Sequence, residues 1–340
     1  IITKNTFCFA VAGTHGKTTT SSILAHILYQ SGVDVTSFLG GIVENYNSNL
    51  VGNGKTVTVV EADEFDRSFL HLHPNIACIT SMDADHLDIY GDSAAIEASF
   101  QEFAAKIENK NNLFVTKQLP LAGKTVGVNE KADFEATNIR IEKSAYIFDI
   151  KIENELITNI RFALPGKHNL MNALMAFAMA KTYGVSDEDS KKALASFKGI
   201  RRRFSYQIQS ENLVYIDDYA HHPTEINAVH QAVSELYPGE KVLAIFQPHL
   251  FSRTRDFADD FAKSLSTFDS VLLLDIYPAR ELPMEGITSD WLLSKMTNFD
   301  KKVINKTELI EAVLDSDATV FVSIGAGDIG ALVTSIKKAL

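Results

Sequence analysis

Apolar runs of strand length alternate with helical patterns along the first half of the chain. Four of these runs indicate buried strands, with the sequences FCFAVAG, VTSFLGG, TVTVVEAD and IACITSMD. The segment TTTSSILAHILYQSG follows the first run, and its apolar residues share one helical face: Ile23, Leu24, Ile27 and Leu28. Gly32 suits the end of that helix. Strands joined by helices in this order predict a parallel sheet covered by helices.

The pattern changes before the middle of the chain. SAAIEASFQEFAAKI predicts a helix with one apolar stripe, made of Ile96, Phe100, Phe103 and Ile107. Residues 133–163 alternate apolar and polar positions without a helical period, which predicts an antiparallel meander attached to the parallel sheet. Two helices follow, PGKHNLMNALMAFAMAKTYG and a second one that Ser186 and Asp189 begin as a capping box.

The segment KGIRRRF interrupts the pattern, and we place a domain boundary there, near Lys198. A second series of strands begins beyond it: LVYIDD, KVLAIFQ, SVLLLDIY, KKVIN and ATVFVSIG. The pattern therefore predicts an α/β protein of two domains. Residues 1–198 form a mostly parallel sheet with a small antiparallel meander, and residues 199–340 form a Rossmann-like parallel α/β domain. A length of 340 residues allows a full core in each.

Composition narrows the class of protein. Apolar residues make up 46 % of the chain and charged residues 22 %, which is ordinary for a soluble globular protein. The formal net charge of −11 argues against nucleic acid as the main partner, because phosphate backbones need a clustered positive surface. Cys8 and Cys78 lie in apolar strands and predict buried free thiols in a reducing compartment. No apolar run reaches the length of a membrane span.

The stretch FAVAGTHGKTTTSS is close to a phosphate-binding loop but has unusual spacing. The common motif places a glycine five residues before the Gly-Lys pair, and that position is Val11 here. An apolar strand still leads through a glycine-rich turn into a helix, which aims backbone N–H groups and a helix N-terminus at an anion. We predict a nucleotide phosphate site; the alternative is a turn with an incidental lysine. Its residues are Gly13, Thr14, His15, Gly16, Lys17, Thr18 and Thr19.

Acidic residues follow two strands that should neighbour this loop. TVTVVEADE ends in Glu61, Asp63 and Glu64, and a carboxylate there is well placed to bind Mg²⁺ together with the Thr18 hydroxyl. We favour Glu61 because it is nearest the strand, while Asp63 and Glu64 also fit a solvated acidic turn. IACITSMDADHLD ends in Asp83, Asp85 and His86, of which His86 is either a metal ligand or a hydrogen-bonded loop residue.

Two segments of the second half are rich in polar side chains. IDDYAHHPTEI gathers Asp217, Asp218, Tyr219, His221 and His222 between a strand and a helix, which favours a polar substrate or ribose pocket over a transition-metal site. FQPHLFSRTRDF adds His249, Arg253 and Arg255, which suit a phosphate or carboxylate group. For either arginine alone, a solvated helix start is an equal alternative.

The motif GAGDIG, residues 325–330, fits the glycine pattern of dinucleotide-binding folds. Such a fold also needs an acidic residue about 20 positions further on, and only ten residues of this chain remain. We interpret the motif as a tight turn between a strand and a helix. A hydride-transfer function is therefore disfavoured.

Six motifs taken together resemble those of the Mur ligase family: GTHGKTT, EADE, DADH, HNLMNA, RRRF and DDYAHHPTE. The shortened phosphate loop is that family's own form, which accounts for Val11. These six motifs lie between Gly13 and Glu225, and with FQPHLFSRTRDF and the glycine motif the matching stretches extend to Gly330, nearly the whole chain. Members of the family use ATP to join an amino acid to the carboxylate of a cell-wall nucleotide precursor. The chain is most similar to members whose substrates are UDP-N-acetylmuramate and L-alanine.

The resemblance implies three domains, of which this chain matches the central ATP-binding domain and the C-terminal domain. The start at Ile1, close to a core strand, agrees with a preceding UDP-binding domain. The resemblance also implies ATP and Mg²⁺, small-molecule substrates, a cytoplasmic location and a place in peptidoglycan synthesis.

The implied reaction transfers the γ-phosphate of ATP to the carboxylate, and the amine of L-alanine then displaces phosphate. Lys17, Glu61 and His86 would be catalytic, with Thr18, Glu61 and His86 holding metal. The resemblance places six residues near the adenine, the ribose or the phosphates: His168, Asn169, Asn172, Arg202, Arg203 and Asp218. The residues expected to hold the amino acid and the acceptor are Tyr219, His221, His222, Arg253 and Arg255.

Two positions depart from the family pattern. Leu250 stands where relatives often carry arginine, so one anionic contact is missing or moved. Several sister ligases use a carbamoylated lysine one helix after the D-H motif, whereas in this chain no lysine lies between His86 and Lys106.

Two other functions remain open on the sequence. A relative within the same family loads a peptide onto the same nucleotide and shares the stretch GTHGKTTTSS. A phosphate-loop ATPase that drives a partner protein would also use the residues of the loop.

Overall fold

The computed structural model describes residues 2–83, 90, 92–142 and 145–340. The chain divides into two compact units, Ile1–Arg201 and Arg202–Leu340. The division lies within the arginines of the segment KGIRRRF, three residues beyond Lys198.

The described strands of the first unit form one ten-stranded sheet. They are β1 Phe7–Ala12, β2 Val35–Val43, β3 Ser48–Gly52, β4 Val57–Ala62, β5 Ile76–Ile79, β6 Leu113–Thr116, β7 Lys124–Val128, β8 Phe134–Glu142, β9 Ala145–Ile152 and β10 Glu155–Phe162. Their order is β10-β9-β8-β7-β6-β5-β1-β4-β2-β3. Strands from β8 to β2 pair in parallel, and β8, β9 and β10 pair antiparallel, so the predicted meander is confirmed.

The antiparallel edge strand β3 was not predicted. Its sequence, SNLVG, is short and follows the polar segment ENYN, so it carries little strand signal. It pairs with β2 through contacts such as Phe38 opposite Leu50.

Helices cover both faces of this sheet. They are α1 Ile2–Asn5, α2 Lys17–Gln30, α3 Ser93–Ala105, α4 Lys167–Tyr183 and α5 Asp187–Ser196, with 3₁₀ turns at Phe65–His71 and Lys110–Asn112. Successive side chains of β1 point to opposite faces of the sheet and so contribute to two hydrophobic cores. Phe9 and Val11 pack with α2 and α4, while Ala10 and Ala12 belong to the core on the other face. The predicted cap of α5 is confirmed, since the Ser186 side chain accepts the Asp189 N–H at 3.1 Å.

The second unit is a smaller sheet with helices between its strands. The strands are β11 Ser205–Gln209, β12 Val214–Asp218, β13 Val242–Phe246, β14 Ser270–Leu273, β15 Asp300–Val303 and β16 Val320–Ile324, in the order β11-β12-β16-β13-β14-β15. The helices are α6 Pro223–Leu236, α7 Phe251–Asp256, α8 Ala258–Leu265, α9 Ser289–Lys295, α10 Leu309–Leu314 and α11 Val333–Ala339, with a 3₁₀ turn at Asp328–Ala331. The five parallel strands confirm the prediction, and the antiparallel edge β11 is an addition to it.

The register of the first sheet brings three strand ends together. Ala12 of β1 lies opposite Ala62 of β4 on one side and opposite Ile79 of β5 on the other. The segments that follow these strands therefore meet at one edge of the sheet, where open parallel sheets bind ligands. In the part of the chain that the structure describes, no helix combines the length and the apolar character needed to cross a bilayer.

Candidate functional site

The loop between β1 and α2 packs against the end of β5. Gly13 and Gly16 have φ angles of 129° and 86°, which favour glycine. A Cβ atom on Gly13 would lie 2.8 Å from the Ser81 nitrogen. The Thr14 and His15 N–H groups donate to Ser81, at 3.3 and 2.8 Å. The sequence suggested that loop amides point at an anion; since these two amides bind Ser81, we expect an anion to meet the N-terminus of α2.

His15 has a structural role that its sequence position did not indicate. Its Nε2 lies 3.3 Å from Oδ2 of Asp83, and the Thr14 hydroxyl donates to the Asp83 main-chain oxygen at 2.9 Å. Both contacts fasten the loop to the segment after β5. Thr19, the last residue of the predicted set, is buried in the first turn of α2.

Lys17, the first residue of α2, forms an ion pair with Glu64. Its Nζ lies 2.9 Å from Oε1 and 2.7 Å from Oε2 of the carboxylate, and it also donates to the Gly13 main-chain oxygen at 2.8 Å. Glu64 is only 2 % exposed. The sequence left Glu64 as either a metal ligand or a solvated acidic turn, and the structure shows it buried against the lysine.

Thr18 and Glu61 form the oxygen-rich part of the site. The Thr18 hydroxyl donates to Glu61 Oε2 at 3.0 Å, while Ser21 Oγ and the Gly40 N–H donate to Oε1 at 3.1 and 2.6 Å. A hydroxyl beside a carboxylate is a donor pair suited to Mg²⁺, which takes few protein ligands and keeps several waters. Among the described residues no group of three or more metal-binding side chains occurs. His86 and Asp85 lie outside the described residues.

The start of α4 packs against the same loop. A Cβ atom on Gly16 would lie 2.6 Å from Asn172 Oδ1, and the Thr20 hydroxyl donates to that oxygen at 3.2 Å. Asn169 is also buried, and its side chain donates to the Pro165 main-chain oxygen at 2.6 Å. His168 is exposed on the first turn of the helix. The structure therefore brings Asn172, one of the three residues predicted for the adenine, into contact with the loop predicted for phosphate.

In the second unit, Asp218 ends β12 and holds the chain around it. Its carboxylate accepts the N–H groups of Phe204 and Ala220 at 2.6 and 2.7 Å. Burial raises the pKa of this carboxyl to about 6, although the nearby Arg203 charge opposes the shift. These two hydrogen bonds hold the main chain at Phe204, just after the three arginines, and at Ala220, just after β12.

Arg202 explains the glycine motif GAGDIG. Its guanidinium lies 3.3 Å from Asp217 Oδ2 and donates to the Gly325 main-chain oxygen at 2.6 Å. A Cβ atom on Gly330 would lie 2.6 Å from the Arg202 Cζ, so this glycine makes room for the side chain. The motif thus binds the Arg202 side chain through the Gly325 oxygen and leaves space for it at Gly330. Arg203 lies beside it with its guanidinium 5.3 Å from the ring centre of Tyr219.

A cluster of rings and charges follows β12 and β13. The His221 and His249 rings are 6.1 Å apart, and His249 stacks on Tyr277 at 5.7 Å. Arg253 is 8 % exposed, with Nη1 3.4 Å from His249 Nδ1. Burial lowers the pKa of His221, and burial lowers the pKa of His249 to about 4, so both imidazoles are neutral at pH 7. The Glu225 carboxylate accepts the main-chain N–H of His221 at 2.9 Å.

Two residues of the predicted substrate set, His222 and Arg255, have other partners than the cluster around His249. His222 is buried, caps α6 by accepting the Thr224 N–H at 3.4 Å, and packs edge-on against Phe257. The Arg255 side chain is half exposed and pairs with Asp256 at 2.7 Å. The structure does not bring Arg255 to the cluster around His249, which favours the solvated alternative for this arginine.

Glu225 and Tyr277 were not predicted from the sequence, and His249 was predicted only as a residue suited to a phosphate or carboxylate group. Glu225 follows a histidine pair by three residues on a helix start, which is a signal that could have been used. Tyr277 is brought in only by the parallel bridge between residues 249 and 277, which no local pattern reveals. Leu250, where the family often has arginine, is buried and has a φ of 71°.

Comparisons with known proteins agree on one family. The family model of the Mur ligase middle domain matches residues 11–180, and that of the Mur ligase glutamate ligase domain matches residues 202–327. A protein of Flavobacterium psychrophilum named UDP-N-acetylmuramate–L-alanine ligase is 72 % identical over 340 residues, which cover 100 % of this chain and 76 % of that protein. A protein of the same name from Christiangramia forsetii is 62 % identical, with 100 % and 75 % covered.

Solved structures show the same fold. The UDP-N-acetylmuramate-alanine ligase of Thermotoga maritima aligns with a TM-score of 0.82 at 28 % identity, covering 98 % of this chain and 75 % of that one. A murein peptide ligase of Psychrobacter arcticus aligns with a TM-score of 0.67 at 22 % identity, covering 99 % and 78 %, and at this identity it supports the fold alone.

Proposed function

The chain belongs to the Mur ligase family, and from this we propose that it uses ATP to join L-alanine to the carboxyl group of UDP-N-acetylmuramate. The product is a precursor of peptidoglycan. The observation that carries the proposal is the group of Lys17, Thr18 and Glu61 around the turn that opens α2, in a chain whose high-identity relatives bear this ligase name.

The chemistry begins from an unreactive group, because a carboxylate repels an attacking amine. Transfer of the γ-phosphoryl group of ATP to a carboxylate oxygen forms an acyl phosphate and ADP. The L-alanine amine then attacks the carbonyl carbon, the tetrahedral intermediate expels inorganic phosphate, and the nitrogen loses a proton to form the amide. Each step needs negative charge on phosphate oxygens to be neutralised.

Side chains of the first unit supply that neutralisation. The Lys17 ammonium reaches phosphate oxygens from the start of α2, whose N-terminus also favours an anion. Thr18 and Glu61 would hold Mg²⁺, with His86 as a further ligand. When bound, the ion supplies positive charge to the phosphates. Three residues near the start of α4 would contact the adenine: His168, Asn169 and Asn172.

Side chains of the second unit would bind the remaining groups. Asp218 would contact the ribose and Arg202 or Arg203 the phosphates, although Arg202 and Asp218 already bind their own unit. The residues proposed for the amino acid and the acceptor are Tyr219, His221 and Arg253, whereas His222 caps α6 and Arg255 pairs with Asp256. Of these, Arg253 is supported best, since it lies buried beside a neutral histidine.

The proposal includes partners and location. The substrates are small molecules, and we propose that the protein acts in the cytoplasm, where nucleotide precursors and ATP are available. The two buried, unpaired thiols, Cys8 and Cys78, accord with a reducing compartment.

Phosphate release by the full-length protein tests the function. With ATP and Mg²⁺ present, we expect release only when UDP-N-acetylmuramate and L-alanine are both added. Activity with a tripeptide in place of L-alanine would favour the peptide-loading relative. Hydrolysis without any acceptor would favour an ATPase that drives a partner.

A further inference from the structure

We propose that Glu64 competes with nucleotide phosphate for the ammonium group of Lys17, and so sets how tightly the protein holds its nucleotide. The inference rests on the proposed function, because it requires a nucleotide at the loop before α2. It assigns Glu64 a role as a positioning residue that acts through Lys17 rather than on the reacting atoms.

The contacts of Lys17 use the full donor capacity of its side chain. An ammonium group has three N–H donors. Among the described residues, Nζ makes three contacts: with the Gly13 main-chain oxygen at 2.8 Å and with the two carboxylate oxygens of Glu64 at 2.9 and 2.7 Å. A phosphate oxygen that binds this ammonium therefore competes with these three acceptors.

Burial makes the exchange costly. The Glu64 side chain is 3 % exposed and that of Lys17 is 17 % exposed, so the pair interacts in surroundings with little water. A buried carboxylate that loses its cation is strongly destabilised. The free energy of nucleotide binding must therefore offset the separation of Glu64 from Lys17.

Glu64 is also held in place. The Tyr90 hydroxyl donates to the Glu64 main-chain oxygen at 2.6 Å, which fixes the backbone from which the side chain extends. The carboxylate three residues earlier has other partners, since Glu61 accepts hydrogen bonds from Thr18, Ser21 and the Gly40 amide. The two acids of the motif EADE thus have separate tasks, one toward the hydroxyl of Thr18 and one toward the ammonium of Lys17.

The proposal predicts an increase in affinity when the charge of Glu64 is removed. Glu64→Gln keeps the size of the side chain and an oxygen acceptor but leaves Lys17 without its counter-ion. We expect the dissociation constants of ADP and of a non-hydrolysable ATP analogue to fall about tenfold or more, since charged partners bind an ammonium more strongly than neutral ones do. Damage to the fold would weaken binding, so tighter binding separates the charge effect from a structural one.

Titration calorimetry of the full-length protein is the test, with thermal unfolding to show that each variant is folded. Asp66→Asn is the matched control: Asp66 is exposed in the same segment, and its φ of 53° suits asparagine. This control should change affinity less than twofold. Glu64→Asp, a second variant, withdraws the carboxylate by one methylene and should tighten binding by a smaller factor.

The outcomes separate the two proposals. Nucleotide binding that is unchanged or weaker in folded Glu64→Gln, or in Glu64→Asp if the first variant does not fold, overturns the role of Glu64 and leaves the ligase function standing. A wild-type protein that binds neither nucleotide overturns both.

Discussion

Gly13 and Ser81 approach so closely that a Cβ atom on Gly13 would lie 2.8 Å from the Ser81 nitrogen. The Thr80 hydroxyl lies closer still, but its movement alone would not make room, because the main-chain nitrogens of Thr80 and Ser81 also lie within 3.0 Å of the Cβ position. A substituent at Gly13 therefore forces the loop and the segment after β5 apart. The same backbone contact sets where the loop before α2 begins.

Gly13→Ala should therefore destabilise the protein and weaken nucleotide binding. Gly184→Ala is a matched control, because Gly184 has a φ of 113°, similar to the 129° of Gly13, but no atom lies within 4 Å of its Cβ position. Backbone strain alone should lower the free energy of unfolding of Gly184→Ala by about 1–2 kcal/mol. The added clash should lower that of Gly13→Ala by at least about 2 kcal/mol more. Urea unfolding measures both. Equal losses would show that the close approach is unimportant.

Arg253 and Arg255 give a second matched pair. Arg253 is buried beside His249, whereas Arg255 is half exposed and pairs with Asp256. If Arg253 binds an anionic substrate group, Arg253→Ala should lower kcat/KM about 10- to 100-fold, the value of a charge-assisted hydrogen bond. Arg255→Ala should stay within threefold of the wild type. Steady-state kinetics with each substrate varied decides the matter, and a larger loss at Arg255 would reverse the assignment.

The pKa of His249 predicts acid sensitivity. Burial lowers this pKa to about 4 from 6.5, and the charges of Arg253 and Arg280 act in the same direction while Glu281 opposes them. Between pH 6.5 and 4 the unfolded chain binds a proton at His249 more readily than the folded protein does. The contribution of neutral His249 to the free energy of unfolding is therefore complete above pH 6.5 and is lost as the pH falls through 4. The imidazole NMR signal of His249 should therefore titrate near pH 4.

His249→Asn serves as the control for this prediction. The variant lacks the titrating group, so its free energy of unfolding should fall less steeply than that of the wild type between pH 6.5 and 4. A wild-type His249 signal that titrates near pH 6.5, or equal slopes for the two proteins, would contradict the assigned environment.

Local patterns predicted the elements whose signals are local. Buried strands such as β1 and β4 have continuous apolar runs, and the turn before α2 has a compact motif, so the position of Lys17 followed from the sequence. Two edge strands were missed because they carry little apolar signal: β3 has one buried residue and β11 has none.

Partnerships between distant residues could not be predicted. The Arg202 side chain donates to the main-chain oxygen of Gly325, 123 residues later, and no local sequence pattern at either residue indicates this contact. Glu64 and Asp63 are adjacent acids after the same strand, and only the path of the chain decides that Glu64 turns inward to Lys17 while Asp63 stays exposed. The sequence therefore located the candidate site but not the charge balance within it.

Isotope transfer tests the central claim, that the carboxylate is phosphorylated before the amine attacks. UDP-N-acetylmuramate labelled with ¹⁸O at both carboxyl oxygens is incubated with the full-length protein, ATP, Mg²⁺ and L-alanine, and the released phosphate is analysed by ³¹P NMR. An acyl phosphate intermediate carries one carboxyl oxygen away on phosphorus, so we predict one ¹⁸O in each inorganic phosphate and one in the amide product. Unlabelled phosphate formed alongside the amide would contradict the account.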